Sequence, residues 1–441
     1  MKISNWLAAA AAAHPQRTAL VSRGGQLTYS QLRRRVERAS SGLAGLGVSQ
    51  GDRVATTLAG ADLVVLTHAV LRLGAAIAPL DPNLTLAELE PITDALAPVA
   101  VVSNLEQVEQ MFAPPNVPPP PLGLDDVLCV IHSSGTGGAP KAIELTYGNH
   151  LWSAVGCGMR IGMQPSDRWL CCLPMHHIGG FAIAIRCAIY GATAIVERFE
   201  AARTAETLRH EDVTIVSLVA TMLDRLLERG DRFGDLRCAL LGGGPAPESL
   251  VERAVEASFP VAPTYGMTET CSQVTTLAPG EVHERPGSAG RPLAAARVRV
   301  GEDGRIAVSG PTVGPALVDE GGWLQTADLG RLDEDGFLYV LGRADQVIVT
   351  GGENVSPEEV ESVLVEHPAV ADVAVFGRDD LRWQNAVVAA VVMREGEHTD
   401  ADGLNEFCRA RLSGFKIPKQ FEFVPELPRN EQGKLLRARL R

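Results

Sequence analysis

The chain has 441 residues, enough on length alone for about three domain-sized units or two unequal ones. Apolar residues make up 46% and charged residues 21%, which excludes global disorder and supplies a sizeable core; aromatics are sparse at 5%. A formal charge of -13 disfavours nucleic acid or an anionic membrane as the main partner, so small anions must be caught by loops and single basic residues.

Residues 7–13 are nearly all alanine and are followed at once by His14 and Pro15, which fits a first amphipathic helix better than a signal segment. Apolar spacing predicts a helix over 27–46, with Thr28 as N-cap and Gly47 as stop, then a strand over 53–58. Helix 61–73, strand 75–79, helix 86–96 and strand 99–103 follow, an alternation that predicts parallel α/β layers. The best apolar run, 61–80, is interrupted by Asp62, His68 and Arg72, so no membrane span and no stable membrane association are expected. The proline-rich stretch 114–121 reads as a stiff connector into a strand at 127–132.

From 125 to 244 the alternation continues, with a helix near 149–158, strands near 168–173, 193–196, 215–218 and 239–241, and helices between. This predicts a second doubly wound sheet. After Gly287 short alternating strands with glycine turns, such as 297–300 and 305–308, suggest a small β-barrel or meander. Beyond Asp345 come a helix at 356–366, strands at 371–377 and 386–392, and a helix at 402–411, a compact α+β unit. The eight cysteines, Cys129, Cys157, Cys171, Cys172, Cys187, Cys238, Cys271 and Cys408, form no C-x-x-C pair and no metal spacing, which points to a reduced, cytoplasmic protein.

The chemistry starts at 133–141, S-S-G-T-G-G-A-P-K. Gly135, Gly137 and Gly138 let successive backbone N–H groups turn toward one anion, Ser133, Ser134 and Thr136 add hydroxyl donors, and Lys141 adds a mobile charge. It is not a Walker A loop, because Ala142 stands where Ser or Thr would hold magnesium. Downstream, Gly242, Gly243, Gly244 and Pro245 follow a strand and offer bare backbone to a ring edge. Glu269 lies in the otherwise uncharged run Y-G-M-T-E-T at 265–270 and needs a partner. Asp328, in T-A-D-L-G, has a carboxylate able to accept both hydroxyls of a ribose. His176 and His177 are adjacent, so their side chains diverge and rarely share a metal.

These motifs, with P-M-H-H-I-G-G at 174–180, G-R-A-D at 342–345 and G-K-L at 433–435, appear in the order found in the adenylate-forming superfamily of acyl-CoA synthetases, luciferases and adenylation domains. The chain resembles that family from near Gln26 to its C-terminus. The resemblance implies an α/β fold: a large N-terminal domain, 1–343, of two α/β sheet layers plus a small β-barrel-like subdomain, and a small mobile α+β C-terminal domain, 344–441, turning about a hinge at Asp345. It implies that Tyr265 and Gly266 flank adenine, Thr268 reaches the α-phosphate, Glu269 holds Mg2+, and Asp328 with Arg343 takes the ribose of ATP. It further implies that Lys434 stabilises α-phosphate charge during adenylation, that Gly351 and Gly352 enter the site for the coenzyme A step, and that His177 orients or gates the acyl group.

Longer stretches narrow the resemblance. Residues 146–156, the H-I-G-G-F run and Y-G-M-T-E-T-C-S-Q-V-T-T-L at 265–277 are similar to o-succinylbenzoate:CoA ligases of menaquinone and phylloquinone biosynthesis. Such a substrate keeps one carboxylate unreacted, and Arg186, Ser272 and Gln273 are the candidates to compensate it. Gly137, Ala142 and a short stretch near 103–121 depart from the usual pattern. Another acyl- or aryl-CoA ligase, a carrier-protein-loading enzyme and a non-catalytic nucleotide-binding protein remain alternatives, and a homo-oligomer is left open.

Overall fold

The computed structural model describes residues 2–111, 118–133, 141–350, 353–380, 383–429 and 435–440. The first long helix, Tyr29–Gly45, begins where predicted: the Thr28 hydroxyl accepts from the Gln31 amide while the Gln31 side chain accepts from the Thr28 amide. That reciprocal box satisfies two donors with no partner in the first turn. Its buried stripe, Leu32, Val36, Ala39 and Leu43, follows the helical period. The preceding helix, Trp6–Ala13, buries Leu7, Ala10 and Ala11 on one face.

Two sheets form the large domain. One is five-stranded in the order Ala100–Val102, Arg53–Thr56, Ala76–Pro79, Val127–Ser133, Lys141–Thr146, parallel except for the last pair. The other is nine-stranded: Arg291–Pro292, Ser272–Thr276, Val261–Met267, Cys238–Leu241, Ile215–Leu218, Arg168–Cys171, Thr193–Val196, Thr18–Ser22, Gly25–Thr28. Its six central strands are parallel and its ends antiparallel.

This corrects the predicted boundary between the sheets. Val127–Ser133, expected to open the second sheet, completes the first, and the early strands Thr18–Ser22 and Gly25–Thr28 cross over to the second. Local alternation cannot reveal such an exchange, because a buried parallel strand has the same composition in either sheet. A strand at Lys141–Thr146 was also not anticipated, so the phosphate-loop candidate joins two arms of a hairpin.

After Gly287 the chain forms an antiparallel meander, Arg297–Val300, Arg305–Ser309, Leu324–Leu332 and Leu338–Arg343. Ile306, Val308 and Leu338 pack with Tyr265 and Val274 from the antiparallel end of the nine-stranded sheet, which gives the subdomain its own core. The C-terminal domain places helices Pro357–Val365 and Ala401–Arg409 with a sheet built on the hairpin Val370–Asp380 and Gln384–Met393. Its core, including Val360, Leu364, Val375, Val391 and Leu404, is separate from those of the large domain. Among the described residues no helix is long and apolar enough to cross a membrane.

Candidate active site

The candidate residues gather where parallel strands of the nine-stranded sheet end. Cys172 to His177 follow Arg168–Cys171, and Gly242 to Pro245 follow Cys238–Leu241. Ligands of open α/β sheets bind at such carboxyl ends. Gly243 has φ +83°, and a Cβ on Gly242 would come within 2.9 Å of the Thr264 methyl, so the turn beside Tyr265 leaves little room for side chains.

Tyr265 lies on Val261–Met267, 9% exposed, and its hydroxyl donates to Asp328 Oδ2 at 2.7 Å. Burial, then the Asp328 charge, holds this phenol protonated by pushing its pKa up. Asp328 and Arg343 oppose each other across the strands Leu324–Leu332 and Leu338–Arg343, with Arg343 Nη1 at 3.5 Å from Asp328 Oδ1. Arg343 also donates through Nε and Nη2 to both oxygens of Asp345, at 2.8 and 2.7 Å. The bonds to Asp345 raise the guanidinium pKa further. The three polar residues assigned to adenine and ribose thus form one connected group, and the predicted hinge residue grips one of them.

Thr268 and Glu269 lie in the single turn Thr268–Thr270, between strands. The Glu269 backbone carbonyl accepts from Gly314 N–H at 2.9 Å, and among the described residues no cation pairs with its carboxylate. No cluster of three or more metal-ligating side chains occurs among the described residues. A single half-buried carboxylate nevertheless fits magnesium, which takes one or two protein carboxylates and completes its shell with water and phosphate oxygens. Beyond this turn Cys271 and Ser272 have φ +53° and +87°, conformations costly for residues with side chains. Gly266 is required opposite them, because a Cβ there would sit 1.8 Å from the Ser272 carbonyl oxygen.

Arg186 is 3% exposed on the helix Ile178–Tyr190. Its Nη2 donates to Ser153 Oγ at 2.9 Å, Ser153 donates to the Cys271 carbonyl at 2.7 Å, and the guanidinium stands 5.7 Å from the Trp169 ring centroid. Its Nε has no partner, and no carboxylate pairs with it among the described residues. A structural ion pair for Arg186 is therefore absent from the described residues. Gln273, 4% exposed, donates to Thr276 Oγ1 at 2.8 Å and leaves Oε1 without a partner. Ser272 is half-buried, and its direct neighbour Gln273 is buried.

His177 caps the same helix without a side-chain bond to it, and its buried Nε2 has no partner. Burial, assisted by His176, lowers its pKa to about 4, so it is neutral near pH 7. His176 reaches Asp81 at 3.5 Å, linking the two sheets. Sequence reading passed over His150 and Ser153, which lie in the helix Tyr147–Ile161. Their signal was available: polar residues one turn apart in a stretch with three glycines, which the fold buries. His150 approaches Cys129 Sγ at 3.3 Å, and burial, then the Arg186 charge, lowers its pKa to about 3.

Ser133 pairs with Lys141 across the hairpin, which brings the two ends of the phosphate-loop candidate together. Ser134, Gly135, Thr136, Gly137 and Gly138 lie outside the described residues, as do Gly351, Gly352 and Lys434.

The family model for AMP-binding enzymes matches residues 7–316, and that for the AMP-binding enzyme C-terminal domain matches 359–434. A 2-succinylbenzoate–CoA ligase from Bacillus licheniformis is 38% identical over 474 aligned positions, covering 99% of each chain. Among solved structures, the o-succinylbenzoate CoA synthetase of Bacillus subtilis in complex with its acyl-adenylate intermediate superposes with TM-score 0.94 at 35% identity, covering 100% of this chain and 98% of that one. The same synthetase with ATP and magnesium gives 0.92, also at 35% identity, covering 100% of both chains. A double mutant of it bound with a product analogue gives only 0.76 at 35% identity, covering 100% and 99%. Matched by both models and by a full-length relative, the chain belongs to the AMP-binding enzyme family.

Proposed function

We propose that this enzyme adenylates o-succinylbenzoate with ATP and passes the acyl group to coenzyme A, giving o-succinylbenzoyl-CoA, AMP and pyrophosphate for menaquinone or phylloquinone synthesis. The full-length similarity to ligases of that name supports the reaction. The observation that carries the substrate is Arg186, a buried cation with an unpartnered Nε and no carboxylate beside it among the described residues. A cation in such a place is strongly disfavoured until an anion arrives, and the distal carboxylate of o-succinylbenzoate is that anion. Eight buried free thiols suit a reducing, cytoplasmic setting.

In the first step a substrate carboxylate oxygen attacks the α-phosphorus of ATP, and pyrophosphate leaves. Tyr265 and the Gly242 to Pro245 turn bound the adenine, and Asp328 with Arg343 takes the ribose. Ser133 to Lys141 cradle the β- and γ-phosphates, Thr268 and Lys434 receive charge developing at the α-phosphate, and neutral His177 orients the reacting carboxylate. Glu269 would hold magnesium, which when bound neutralises phosphate charge. Domain 344–441 then turns about Asp345, withdrawing Lys434 and presenting Gly351 and Gly352 to the incoming thiol. The higher TM-score to the adenylate-bound neighbour than to the product-analogue complex supports an adenylation-stage arrangement here.

The test is coenzyme A-dependent AMP release with o-succinylbenzoate against benzoate, succinate and a medium-chain fatty acid, with the thioester identified by mass. Selective turnover of o-succinylbenzoate is expected. Preference for a monocarboxylate would overturn the substrate, and absence of pyrophosphate release with every acid would overturn the reaction.

A further inference from the structure

Arg186 is held by Ser153, a residue to which the reaction above gives no part. Ser153 is buried in the helix Tyr147–Ile161. Its hydroxyl donates to the Cys271 carbonyl at 2.7 Å, which commits its hydrogen and leaves only lone pairs for the guanidinium, whose Nη2 donates to Oγ at 2.9 Å. The titratable groups that feel the Arg186 charge cannot offset it. Burial pushes up the pKa of the Cys157, Cys187 and Cys271 thiols and of the Tyr190 phenol, and it lowers that of His150, so all five are neutral near pH 7. Ser153 thus holds the cation without neutralising it.

The other end of this link is the strained turn that follows Thr268 and Glu269. Cys271 and Ser272, at φ +53° and +87°, keep such backbone only where surrounding bonds impose it. Within the turn Cys271 N–H donates to the Thr268 carbonyl at 3.0 Å, and Met267 N–H donates to Thr270 Oγ1 at 3.1 Å. The Ser153 hydroxyl adds an anchor from a separate helix. A guanidinium is planar, so fixing Nη2 restricts the whole fork, including Nε, which has no partner. An acidic residue in place of Ser153 would pair the cation internally, and an apolar one would leave its orientation loose.

We propose that Ser153 is a positioning residue for acid recognition: its neutral oxygen ties the Arg186 guanidinium to the Cys271 turn and keeps Nε available to the second carboxylate of the substrate. This rests on the assignment of Arg186 to that carboxylate. A serine that only braced the turn would affect every acid alike, because Thr268 and Glu269 are assigned to ATP and its magnesium. One that acts through Arg186 affects only acids with a second carboxylate.

The experiment compares full-length wild type with Ser153→Ala, Ser153→Thr, Arg186→Met and the double variant Ser153→Ala/Arg186→Met. Coenzyme A-dependent AMP release is measured with o-succinylbenzoate and with 4-oxo-4-phenylbutanoate, the same acid without its ring carboxylate. Ser153→Ala is expected to lower kcat/KM for o-succinylbenzoate about tenfold or more, chiefly through KM, with kcat/KM for the monocarboxylate and KM for ATP within about twofold, the loss expected of one hydrogen bond to a charged group. Ser153→Thr keeps a hydroxyl and should recover part of the loss, and the double variant should use o-succinylbenzoate no worse than Arg186→Met. Equal loss with both acids, an additive double variant, or undiminished use of o-succinylbenzoate by Ser153→Ala beside a selective loss in Arg186→Met would overturn the proposal. Unchanged discrimination by Arg186→Met would instead overturn the assignment of the arginine, and no turnover of o-succinylbenzoate by wild type would overturn the function. Should Ser153→Ala fail to fold, Ser153→Cys offers a weaker acceptor in the same place; a selective loss with o-succinylbenzoate supports the proposal, and an equal loss or none overturns it.

Discussion

Arg343 lies in a half-exposed strand pair facing two carboxylates, Asp328 and Asp345, whereas Arg186 is buried with a serine, a tryptophan ring and no carboxylate among the described residues. Near water, a guanidinium shared between carboxylates gives up one partner cheaply, so Arg343 can exchange contacts as nucleotide arrives. In the interior the same charge carries a desolvation penalty that is repaid only by a buried anion. On the proposed assignment, the Tyr265, Asp328 and Arg343 contacts of the nucleotide region are made before substrate binds, whereas the acyl region holds an electrostatic deficit that would favour an acid with a second carboxylate.

Arg186→Met tests the deep end of that contrast. Turnover of o-succinylbenzoate should fall by about 100- to 1000-fold in kcat/KM, the loss expected when a buried charge is left unpaired. Turnover of benzoate should change little, and the melting temperature should hold or rise, because an apolar side chain replaces an unpaired cation. Equal loss with both acids would reduce Arg186 to a packing residue.

Acid should expose the same interior through its histidines. Burial lowers the pKa of His68 to about 4, of His150 to about 3 and of His177 to about 4. The folded values lie below that of an unfolded histidine, so between them the unfolded chain binds more protons. Their stabilising contribution is complete above pH 6.5 and is lost as pH falls toward 4, about 3 kcal/mol each by pH 4. Urea unfolding at pH 7.5 and 5 should show the trend, and His68→Leu should flatten it; a slope unchanged by that substitution would remove His68 from the account.

At the exposed end the effects shrink. Asp328→Asn keeps the Tyr265 bond but loses one acceptor of the ribose pair, and KM for ATP should rise about tenfold, near the worth of a charged hydrogen bond. Asp345→Asn weakens an exposed ion pair and should change adenylation less than about threefold. A larger effect on the thioester step than on adenylation would tie Asp345 to the domain turn.

Much of the molecule was legible in its sequence. The helix Tyr29–Gly45 could be read because Thr28, Gln31 and the apolar stripe sit within a few turns of one another, and the strands Thr193–Val196 and Ile215–Leu218 because short apolar runs between polar stretches leave few alternatives. The motif set fixed the family and named Tyr265, Asp328 and Arg343 before their contacts were known. What residues lie near in the chain can specify, through period, capping and turn chemistry, the sequence determined alone.

Only the tertiary structure decided the rest. It placed Val127–Ser133 in the first sheet and Thr18–Ser22 in the second, put Asp328 opposite Arg343 in register, left Arg186 without a carboxylate among the described residues, and seated Arg437 on Glu361. Each is a pairing between distant segments, or the lack of one. Its energy depends on which groups are taken from water together, and no local window of sequence contains both partners.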